Sequence, residues 1–259
     1  MSKDRALVVL TPYESRRLIA KAVAKLPFVE EAMRSGWVIV ATGSSTGYVA
    51  EELTGISMVK ENFISGHITQ GETWGTPKNP EYIFPIVLHK GQRQEMRTEE
   101  ALKSFSARDV FIKGASAVDP QFHAAVFMGS NVGGTIGASI GTLHARGSYL
   151  LVPVGLEKLV PSVAEAAKHS GIMKFKHHTG MPVGLMPMIN ATIITEIQAF
   201  AGLFGLETYH IGSGGIAGSE GAVVLAIEGA EDKVEEAFRF VQTIKGEKHL
   251  LRPNGIPQQ

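Results

Sequence analysis

The sequence predicts an α/β fold built on a parallel sheet, and three observations lead to that prediction. Short apolar runs such as 37–41 and 109–112 are typical of buried strands. Segments with helical spacing alternate with these runs, which is the order that a parallel sheet requires. Two of the junctions that enter helices are rich in glycine and small polar residues, as in turns that bind phosphate.

Composition narrows the class of protein. The 259-residue chain is 44% hydrophobic and 19% charged, enough for one large domain or for one domain plus a small one. A net charge of +0 predicts no broad basic surface for nucleic acid and no polybasic membrane patch. Cysteine is absent, which excludes disulfides, thiolate metal sites and a cysteine nucleophile. We find no secretory pattern or membrane-spanning run, so we expect a cytoplasmic protein.

The N-terminal part predicts two helices that lead into the first buried strand. Thr11 and Glu14 form a capping box, with Pro12 at the first helical position, and Pro27 ends that helix. A shorter helix over about 29–34 leads to the strand at 37–41.

Directly after that strand comes G-S-S-T-G, and helical spacing resumes over 48–53. The first turn of a helix has unpaired N–H groups and a positive dipole end, and glycine lets a ligand approach the backbone. The turn therefore predicts an oxyanion site formed by Gly43, Ser44, Ser45, Thr46 and Gly47. It is neither a Walker loop nor a G-x-G-x-x-G motif, and an ordinary strand-to-helix turn is the alternative interpretation.

Polar residues follow the strand at 109–112, at the carboxyl edge where open α/β sheets bind ligands. Lys113 would either point into the cleft, as an anion partner or a lysine with a lowered pKa, or extend to solvent. Asp119 is a candidate catalytic acid or a turn residue before Pro120. Ser116 would contact the anion, or would be present only because it is small.

A second glycine-rich turn covers 129–137 and enters a helix over about 136–145. We expect Gly133, Gly134 and Thr135 to contact the same anion. Each glycine costs that helix ~1 kcal/mol relative to alanine, and close packing is the natural compensation. Glu157 follows the next strand, 149–154, and is either a catalytic candidate or the solvated start of a helix that runs to about residue 169.

The remaining predictions concern connections and the C-terminal part. The weakly patterned stretch 54–80 is a functional lid or includes a strand at 63–69. Further elements are a strand at 82–88, a helix capped by Thr98 and ending near 105, and a strand at 121–128.

After residue 186 the pattern predicts a strand–helix–strand–strand–helix unit, at 188–194, 196–204, 207–211, 222–228 and 232–244. This is the order of a ferredoxin-like split βαβ unit. We therefore divide the chain into an α/β domain over 1–185, an α+β unit over 186–250 and a tail over 251–259.

Three stretches resemble known families. V-A-T-G-S-S-T-G-Y-V-A-E-E-L, at 40–53, resembles the G-T-G-S-T phosphate loop of ribose-5-phosphate isomerase A. D-V-F-I-K-G-A-S-A-V-D-P, at 109–120, followed by G-S-N-V-G-G, resembles that enzyme's I-D-G-A-D-E-V-D segment and the lysine–glycine run after it. The stretch 150–167 is similar to part of the lactate-utilisation (LUD) domains.

Both families belong to the NagB/RpiA/CoA-transferase-like superfamily. The resemblance implies a Rossmann-like open, mostly parallel sheet with helices on both faces, a ferredoxin-like C-terminal unit, phosphate binding and a homo-oligomer.

The chain departs from the isomerase pattern at its reactive residues. Two aspartates flank Gly-Ala in that family, whereas Lys113 and Ser116 stand there in this sequence, and of the acids only Asp119 remains. The family's lysine before the glycine run and the general-base glutamate after it have no counterpart. Aldose–ketose isomerisation requires a base for a carbon-bound proton, so we do not expect true ribose-5-phosphate isomerase activity.

Three functions stay open. The first is an enzyme with isomerase- or lyase-like proton-transfer chemistry on a small phosphorylated or carboxylated metabolite, with Lys113, Asp119 and Glu157 as catalytic candidates. The second is a CoA-transferase-like enzyme with Glu157 or Glu220 as nucleophile. The third is a non-catalytic regulatory protein that binds a metabolite. We expect no metal and no cofactor, since His177 and His178 have no carboxylate near them in the sequence. The glycine loop 212–221 is either a hairpin loop or a backbone anion nest.

Overall fold

The computed structural model describes residues 3–253, and this part of the chain has a mixed α/β fold. Its α-helices are α1 (Pro12–Ala24), α2 (Pro27–Ser35), α3 (Ser44–Thr54), α4 (Thr98–Ala101), α5 (Gly134–Arg146), α6 (Val163–Lys168), α7 (Glu196–Phe204) and α8 (Glu231–Ile244). Short 3₁₀ turns occur at Lys60–Phe63, Leu102–Ser104, Leu156–Lys158 and Ile172–Lys174. Among these described helices, none combines the length and the apolar character that crossing a bilayer requires.

The strands are short and numerous. They are β1 (Lys3–Leu10), β2 (Trp37–Val40), β3 (Gly66–Thr69), β4 (Glu72–Gly75), β5 (Ile86–His89), β6 (Gln92–Gln94), β7 (Val110–Ile112), β8 (Ala117–Val118), β9 (Ala124–Met128), β10 (Tyr149–Pro153), β11 (Gly184–Pro187), β12 (Thr192–Ile194), β13 (Glu207–Gly214) and β14 (Ala222–Ala230).

The largest sheet has six strands in the order β12-β10-β7-β2-β5-β6. The first four run parallel to one another, and β5 and β6 add an antiparallel edge. Ile112 of β7 pairs with Val40 of β2 on one side and with Leu151 of β10 on the other. The carboxyl ends of these strands therefore lie side by side, and the predicted α/β class is confirmed.

Alternate side chains of the buried strands face two cores. Val38, Val40 and Ile112 pack with apolar residues of α1, α7, α8 and the C-terminal strands. Ile39 and Phe111 face the opposite side, where they pack with residues of α5 and β9. Burial on both faces is the reason that these strands are continuously apolar in sequence.

The smaller sheets connect distant parts of the chain. β1, β14 and β13 form an antiparallel sheet, β11, β9 and β8 form another, and β3 and β4 form a hairpin. The elements predicted after residue 186 occur in the expected order. However, β12 pairs with β10 in the six-stranded sheet, and the third strand of the C-terminal sheet is β1, for which the sequence had predicted no strand.

Local capping signals were reliable. The capping box of Thr11 and Glu14 is formed, and α1 begins at Pro12 as predicted. A second capping box, of Thr195 and Gln198, begins α7. α7 ends at Gly205, whose φ of 70° is easily adopted only by glycine.

Several predicted boundaries were wrong, and proline explains two of them. The strand predicted over 82–88 begins only at Ile86, directly after Pro85. The helix predicted from Lys158 onward is a 3₁₀ turn followed by α6, because Pro161 cannot donate within a helix and Ser162 then caps a new one.

The other corrections concern turns. Of the strand predicted at 188–194, only Thr192–Ile194 forms a strand, β12, because Asn190 has a φ of 54° that interrupts the extended backbone. The predicted cap residue Thr98 is the first residue of α4, and Arg97 is the N-cap. The stretch 54–80 contains a 3₁₀ turn and the β3–β4 hairpin, so the strand alternative at 63–69 is found in part.

Candidate anion-binding site

A cavity of about 1150 Å³ lies beside the carboxyl ends of β2 and β7. Both glycine-rich turns form parts of its wall, the first through Gly43–Ser45 and the second through Gly133–Thr135. Thr42 follows β2 and Lys113 follows β7, the side chain of Lys113 donates to the carbonyl of Thr42, and both residues line the cavity. The structure therefore brings the two predicted turns and Lys113 to one site.

The first turn presents the beginning of α3. The helix starts at Ser44, four residues before the predicted position, so that both serines belong to its first turn. Gly43 is the N-cap and no side chain caps the helix. In the described chain the backbone N–H groups of Ser44, Ser45 and Thr46 have no protein acceptor. These three donors, with the helix dipole behind them, favour an anion at this point.

Side chains of the same turn divide into two groups. Ser45 is 2% exposed and lines the cavity, and its Oγ has no hydrogen-bond partner among the described residues. The hydroxyl of Thr46 instead donates to the carbonyl of Gly43 at 3.1 Å. Thr46 and Gly47 are buried and do not line the cavity. Gly47 is required for packing, since a Cβ there would be 3.4 Å from Cγ of Lys60.

The second turn presents the beginning of α5. Gly133 is its N-cap at a φ of 78°, and Gly134 follows at 57°. A Cβ on Gly133 would be 3.0 Å from Cα of Gly137, so the turn requires glycine both for its backbone angle and for space. No side chain caps this helix either. The cavity wall thus includes the N-termini of two helices.

Lys113 is buried at the base of the cavity. Its Nζ donates to the carbonyl of Thr42 at 3.0 Å, and the described chain gives it no carboxylate partner. Burial lowers the pKa of Lys113 to about 8, and the charge of Lys158 contributes to the same shift. A minor fraction of this lysine is therefore an uncharged amine at pH 7, and this fraction rises to about half near pH 8.

Lys158 is a second cation of the wall, which the sequence had not selected. Its Nζ donates to the carbonyl of Ala115 at 2.9 Å. Burial and the nearby Arg16 lower the pKa of Lys158, while Glu157 and Glu196 oppose that shift. The 3₁₀ turn at Leu156–Lys158 gives the neighbours Glu157 and Lys158 different environments: Lys158 lines the cavity and Glu157 does not.

Glu157 forms an ion pair with Arg16 instead of lining the cavity. Its Oε1 accepts a bond from Arg16 at 3.3 Å, and its Oε2 is buried without a partner among the described residues. Beside it lies the fully buried Glu196, which accepts a bond from the backbone of Leu156 at 2.9 Å. Burial, together with the charge of Glu157, raises the pKa of Glu196 to about 7. Arg16 comes from α1 and lines the cavity, so Glu157 positions an arginine at the site.

Asp119 and Ser116 have structural partners. Backbone N–H groups of Gln121, His123 and Val163 donate to the Asp119 carboxylate, and His123 Nδ1 lies 3.1 Å from it. Burial would raise the pKa of Asp119, but bonds from Val163 and His123 outweigh that effect and lower it. Asp119 does not line the cavity, whereas Ser116 does and accepts a bond from Phe127 at 3.0 Å.

The charges around the cavity are unequal. Among the described residues that line it, one is acidic, Glu99, and six are lysine or arginine. The basic residues are Arg16, Lys78, Arg97, Lys113, Lys158 and Arg252. Because the whole chain has a net charge of +0, this excess is local and attracts an anionic ligand.

The opposite wall is less polar and is partly formed by the β3–β4 hairpin. His67 and Trp74 line the cavity there, and their ring atoms Nε2 and Nε1 are buried without partners in the part of the chain described. The hairpin is held by Thr73, whose Oγ1 donates to Met181 O at 2.6 Å. Tyr82, Phe84 and Phe127 add aromatic surface to the wall. The cavity lining therefore combines basic and aromatic side chains, and Lys78 contacts the ring of Phe84.

Neither a metal nor a known relative identifies the site. Residues 3–253 contain no group of three or more His, Asp or Glu that could hold a metal ion. No family model matches the chain, and searches of curated proteins and of solved structures find no match either.

Proposed function

We propose that the protein is an enzyme that acts on a small phosphorylated or carboxylated metabolite by isomerase- or lyase-like proton transfer. One observation carries the proposal: the uncapped N-termini of α3 and α5 open into the same cavity as Lys113 and Lys158, which form no ion pair with a carboxylate among residues 3–253. Backbone N–H groups and fixed cations are what a phosphate or carboxylate group requires.

In this proposal the anionic group of the metabolite binds at the helix N-termini, with Lys158 and Arg16 nearby. Lys113 is the base, because an uncharged amine can accept a proton and its pKa of about 8 is close to neutral pH. Burial lowers the pKa of Lys158 too, but the nearby Glu157 and Glu196 favour its charged form. It would stabilise negative charge that develops on the substrate oxygen.

The motifs at 40–53 and 109–120 also support membership of the NagB/RpiA/CoA-transferase-like superfamily, with a Rossmann-like sheet and a ferredoxin-like C-terminal unit. Four parallel strands with ligand-facing turns at their carboxyl ends fit such a sheet. The missing isomerase acids argue against ribose-5-phosphate as the substrate. The cytoplasmic location and the homo-oligomer stay predictions of the sequence.

The geometry gives less support to a CoA-transferase-like mechanism. Glu157 is engaged with Arg16 and does not line the cavity. Glu220 is exposed and accepts a bond from the backbone of Gly218 at 2.9 Å, outside the cavity. Neither carboxylate faces the site as a nucleophile would have to do.

Thermal unfolding with a panel of ligands at constant ionic strength tests the proposal. The panel consists of sulfate, phosphate, sugar phosphates, short carboxylic acids and CoA esters. A ligand at 100 times its Kd stabilises the folded state by about 2.7 kcal/mol. We expect stabilisation by phosphate or sugar phosphates in the wild-type protein, and a much smaller effect in Lys158→Met and Ser45→Ala.

The exposed Lys103 provides the matched control, because Lys103→Met removes the same charge away from the cavity. This variant should respond to the ligands as the wild type does. Stabilisation by CoA esters alone, or equal responses in Lys158→Met and Lys103→Met, would contradict the proposal. Binding without turnover of any ligand in the panel would indicate a regulatory protein instead.

A further inference from the structure

We infer that Lys113 is a nucleophile that forms an imine with an aldehyde or ketone carrying a phosphate or carboxylate group. The inference rests on the proposed function, because it assigns the substrate class and a covalent step to the same cavity. It changes the role of Lys113 in that function, since the uncharged amine attacks the substrate carbon instead of removing a proton from it. It depends on three features of the site: the position of Lys113 in the wall, the contacts of its Nζ, and the cations around it.

The contacts of Lys113 favour its uncharged form. An ammonium group has three N–H donors, and within the described chain the Nζ of Lys113 has one acceptor, the carbonyl of Thr42 at 3.0 Å. No carboxylate pairs with it, and Lys113 is only 9% exposed. A buried charge with so few partners is costly, whereas an amine with one hydrogen bond is not. Its position beside the cavity keeps the nitrogen within reach of a ligand.

The neighbouring groups decide which of the two lysines is the nucleophile. Burial is the main cause of the lowered pKa of Lys113, and the charge of Lys158 lowers it further. Among the described residues, no carboxylate opposes this lowering. At Lys158, Glu157 and Glu196 act against the loss of the proton. Burial and Arg16 lower the pKa of Lys158 as well, but the carboxylates Glu157 and Glu196 lie near Lys158 and not near Lys113, so we assign Lys113 as the amine and Lys158 as the ammonium. A cation next to a buried lysine is an established means of activating an amine for imine formation.

The rest of the wall selects the carbonyl compound. The first-turn N–H groups of α3 and α5 can hold a phosphate or a carboxylate while Lys113 faces the remainder of the molecule. The hydroxyl of Ser45, buried and unpartnered, is an additional donor at the same turn. A neutral ketone would lack these contacts and would bind weakly.

The chemistry requires no further reactant. The lone pair of Nζ attacks the carbonyl carbon, so that the C–N bond forms and the C=O π bond breaks. A proton then passes from the nitrogen to the oxygen to give a neutral carbinolamine. Loss of water then gives the protonated imine, with the proton for the departing hydroxyl supplied by an acid such as the Lys158 ammonium. The iminium withdraws electrons from the adjacent carbon, so that removal of a proton or cleavage of a bond at that carbon becomes easier. This step suits lyase- and isomerase-like chemistry.

Borohydride trapping on the full-length protein tests the inference. Wild-type protein is incubated with pyruvate or with dihydroxyacetone phosphate, reduced with sodium borohydride, digested and analysed by mass spectrometry. Borohydride delivers hydride to the imine carbon and leaves a stable secondary amine. We expect the adduct on Lys113 with at least one of these anionic probes, and at least ten times less with acetone or dihydroxyacetone. The exposed Lys103 measures non-specific labelling in the same digest.

Two further readouts separate a nucleophile from a merely reactive lysine. The extent of labelling should rise with pH and reach half its maximum near the pKa of about 8 for Lys113. In Lys158→Met, at saturating probe, that midpoint should move to higher pH because the adjacent cation has been removed. Lys113→Met should show no adduct at the cavity.

Labelling of Lys158, or labelling of Lys113 no greater than that of Lys103, would overturn the inference. A protein that sulfate stabilises but that forms no adduct with either anionic probe would overturn the imine alone. A protein that no anion stabilises would overturn the proposed function as well, so the two failures are distinguishable.

Discussion

Two groups of basic side chains, on either side of α1, differ in how their charges are balanced. Arg17, on one side, lies among three glutamates. Lys113 and Lys158, at the cavity, have backbone carbonyls as their hydrogen-bond partners. The comparison distinguishes a cation that supports the fold from one that is available to a ligand.

The Arg17 cluster is fully matched in charge. Arg17 donates to Glu51, Glu52 and Glu247, each at 2.8 Å, and thereby connects α1, α3 and the segment after α8. Lys60 and Lys21 also contact these glutamates. The described contacts therefore involve three cations and three carboxylates. Burial alone would lower the pKa of Arg17, but bonds from Glu247, Glu51 and Glu52 raise it.

The cavity has the opposite balance, with six basic residues and one acidic residue in its described lining. An unbalanced cation reduces the stability of the empty protein, since burial opposes its charge. Such a cost is typical of functional sites, where a ligand later supplies the missing charge. The two regions should therefore respond to the same kind of substitution with opposite signs.

Arg17→Met should have the largest effect. It leaves Glu51, Glu52 and Glu247 partly buried without their shared partner, and we expect a loss of about 2–4 kcal/mol in the free energy of unfolding. Urea denaturation at pH 7 measures the change. Lys21→Met is the control, because its single, half-buried pair with Glu52 at 3.2 Å should contribute only about 0–1 kcal/mol. Equal losses in the two variants would remove the distinction between the cluster and an ordinary surface pair.

Lys113→Met should act in the opposite direction. Methionine keeps the length of the side chain and removes a charge that the described chain does not balance, so we expect a gain of about 1–3 kcal/mol at pH 7. Lys103→Met should change the free energy of unfolding by less than about 0.5 kcal/mol. A clear loss of stability in Lys113→Met would mean that the lysine supports the fold as Arg17 does.

The pH dependence of that gain is a separate prediction. The folded pKa of Lys113, about 8, lies below the ordinary value of 10.5, so the unfolded state binds more protons between these values. Stability of the wild type relative to Lys113→Met must therefore rise with pH over this range. We expect the advantage of Lys113→Met to shrink by about 2–3 kcal/mol between pH 7 and pH 10. A stability advantage that does not change with pH would show that folding does not lower the pKa of Lys113.

Gly133→Ala should have the smallest effect on stability and should sharpen the assignment of the second helix to the cavity. A positive φ and the contact with Gly137 predict a loss of about 1–2 kcal/mol. Gly141→Ala, in the same helix and with open space around its Cβ, should instead gain up to ~1 kcal/mol. Only Gly133→Ala should also weaken stabilisation by phosphate. If both variants bind phosphate as the wild type does, α5 is not part of the site.

The features that the sequence predicted are those decided by neighbouring residues. The capping box at Thr11 depends on a residue three positions away, and the turn at Gly43 follows directly from its strand. Both were found where expected, as were most helices. Pro85 and Pro161 are also local signals, and taking them into account would have corrected two predicted boundaries.

The features that the sequence missed depend on distant pairing. No local pattern could show that β1 pairs with β14, or that Arg16 and Glu157 meet across 141 positions. Glu157 and Lys158 both follow β10 in the sequence, but only the geometry of the 3₁₀ turn decides which one reaches the cavity. The excess of basic side chains around the cavity could not be predicted either, because the chain as a whole has a net charge of +0 and only the fold brings these residues together.

A crystal structure of the protein soaked with selenate, located by its anomalous scattering, tests whether the cavity holds an anion. We expect a selenate in the cavity, within hydrogen-bond distance of the first-turn N–H groups of α3 or α5 and near Lys158. It should be absent in the Lys158→Met protein treated in the same way. Selenate bound only at exposed cations outside the cavity, with the cavity empty, would contradict the assignment of this site.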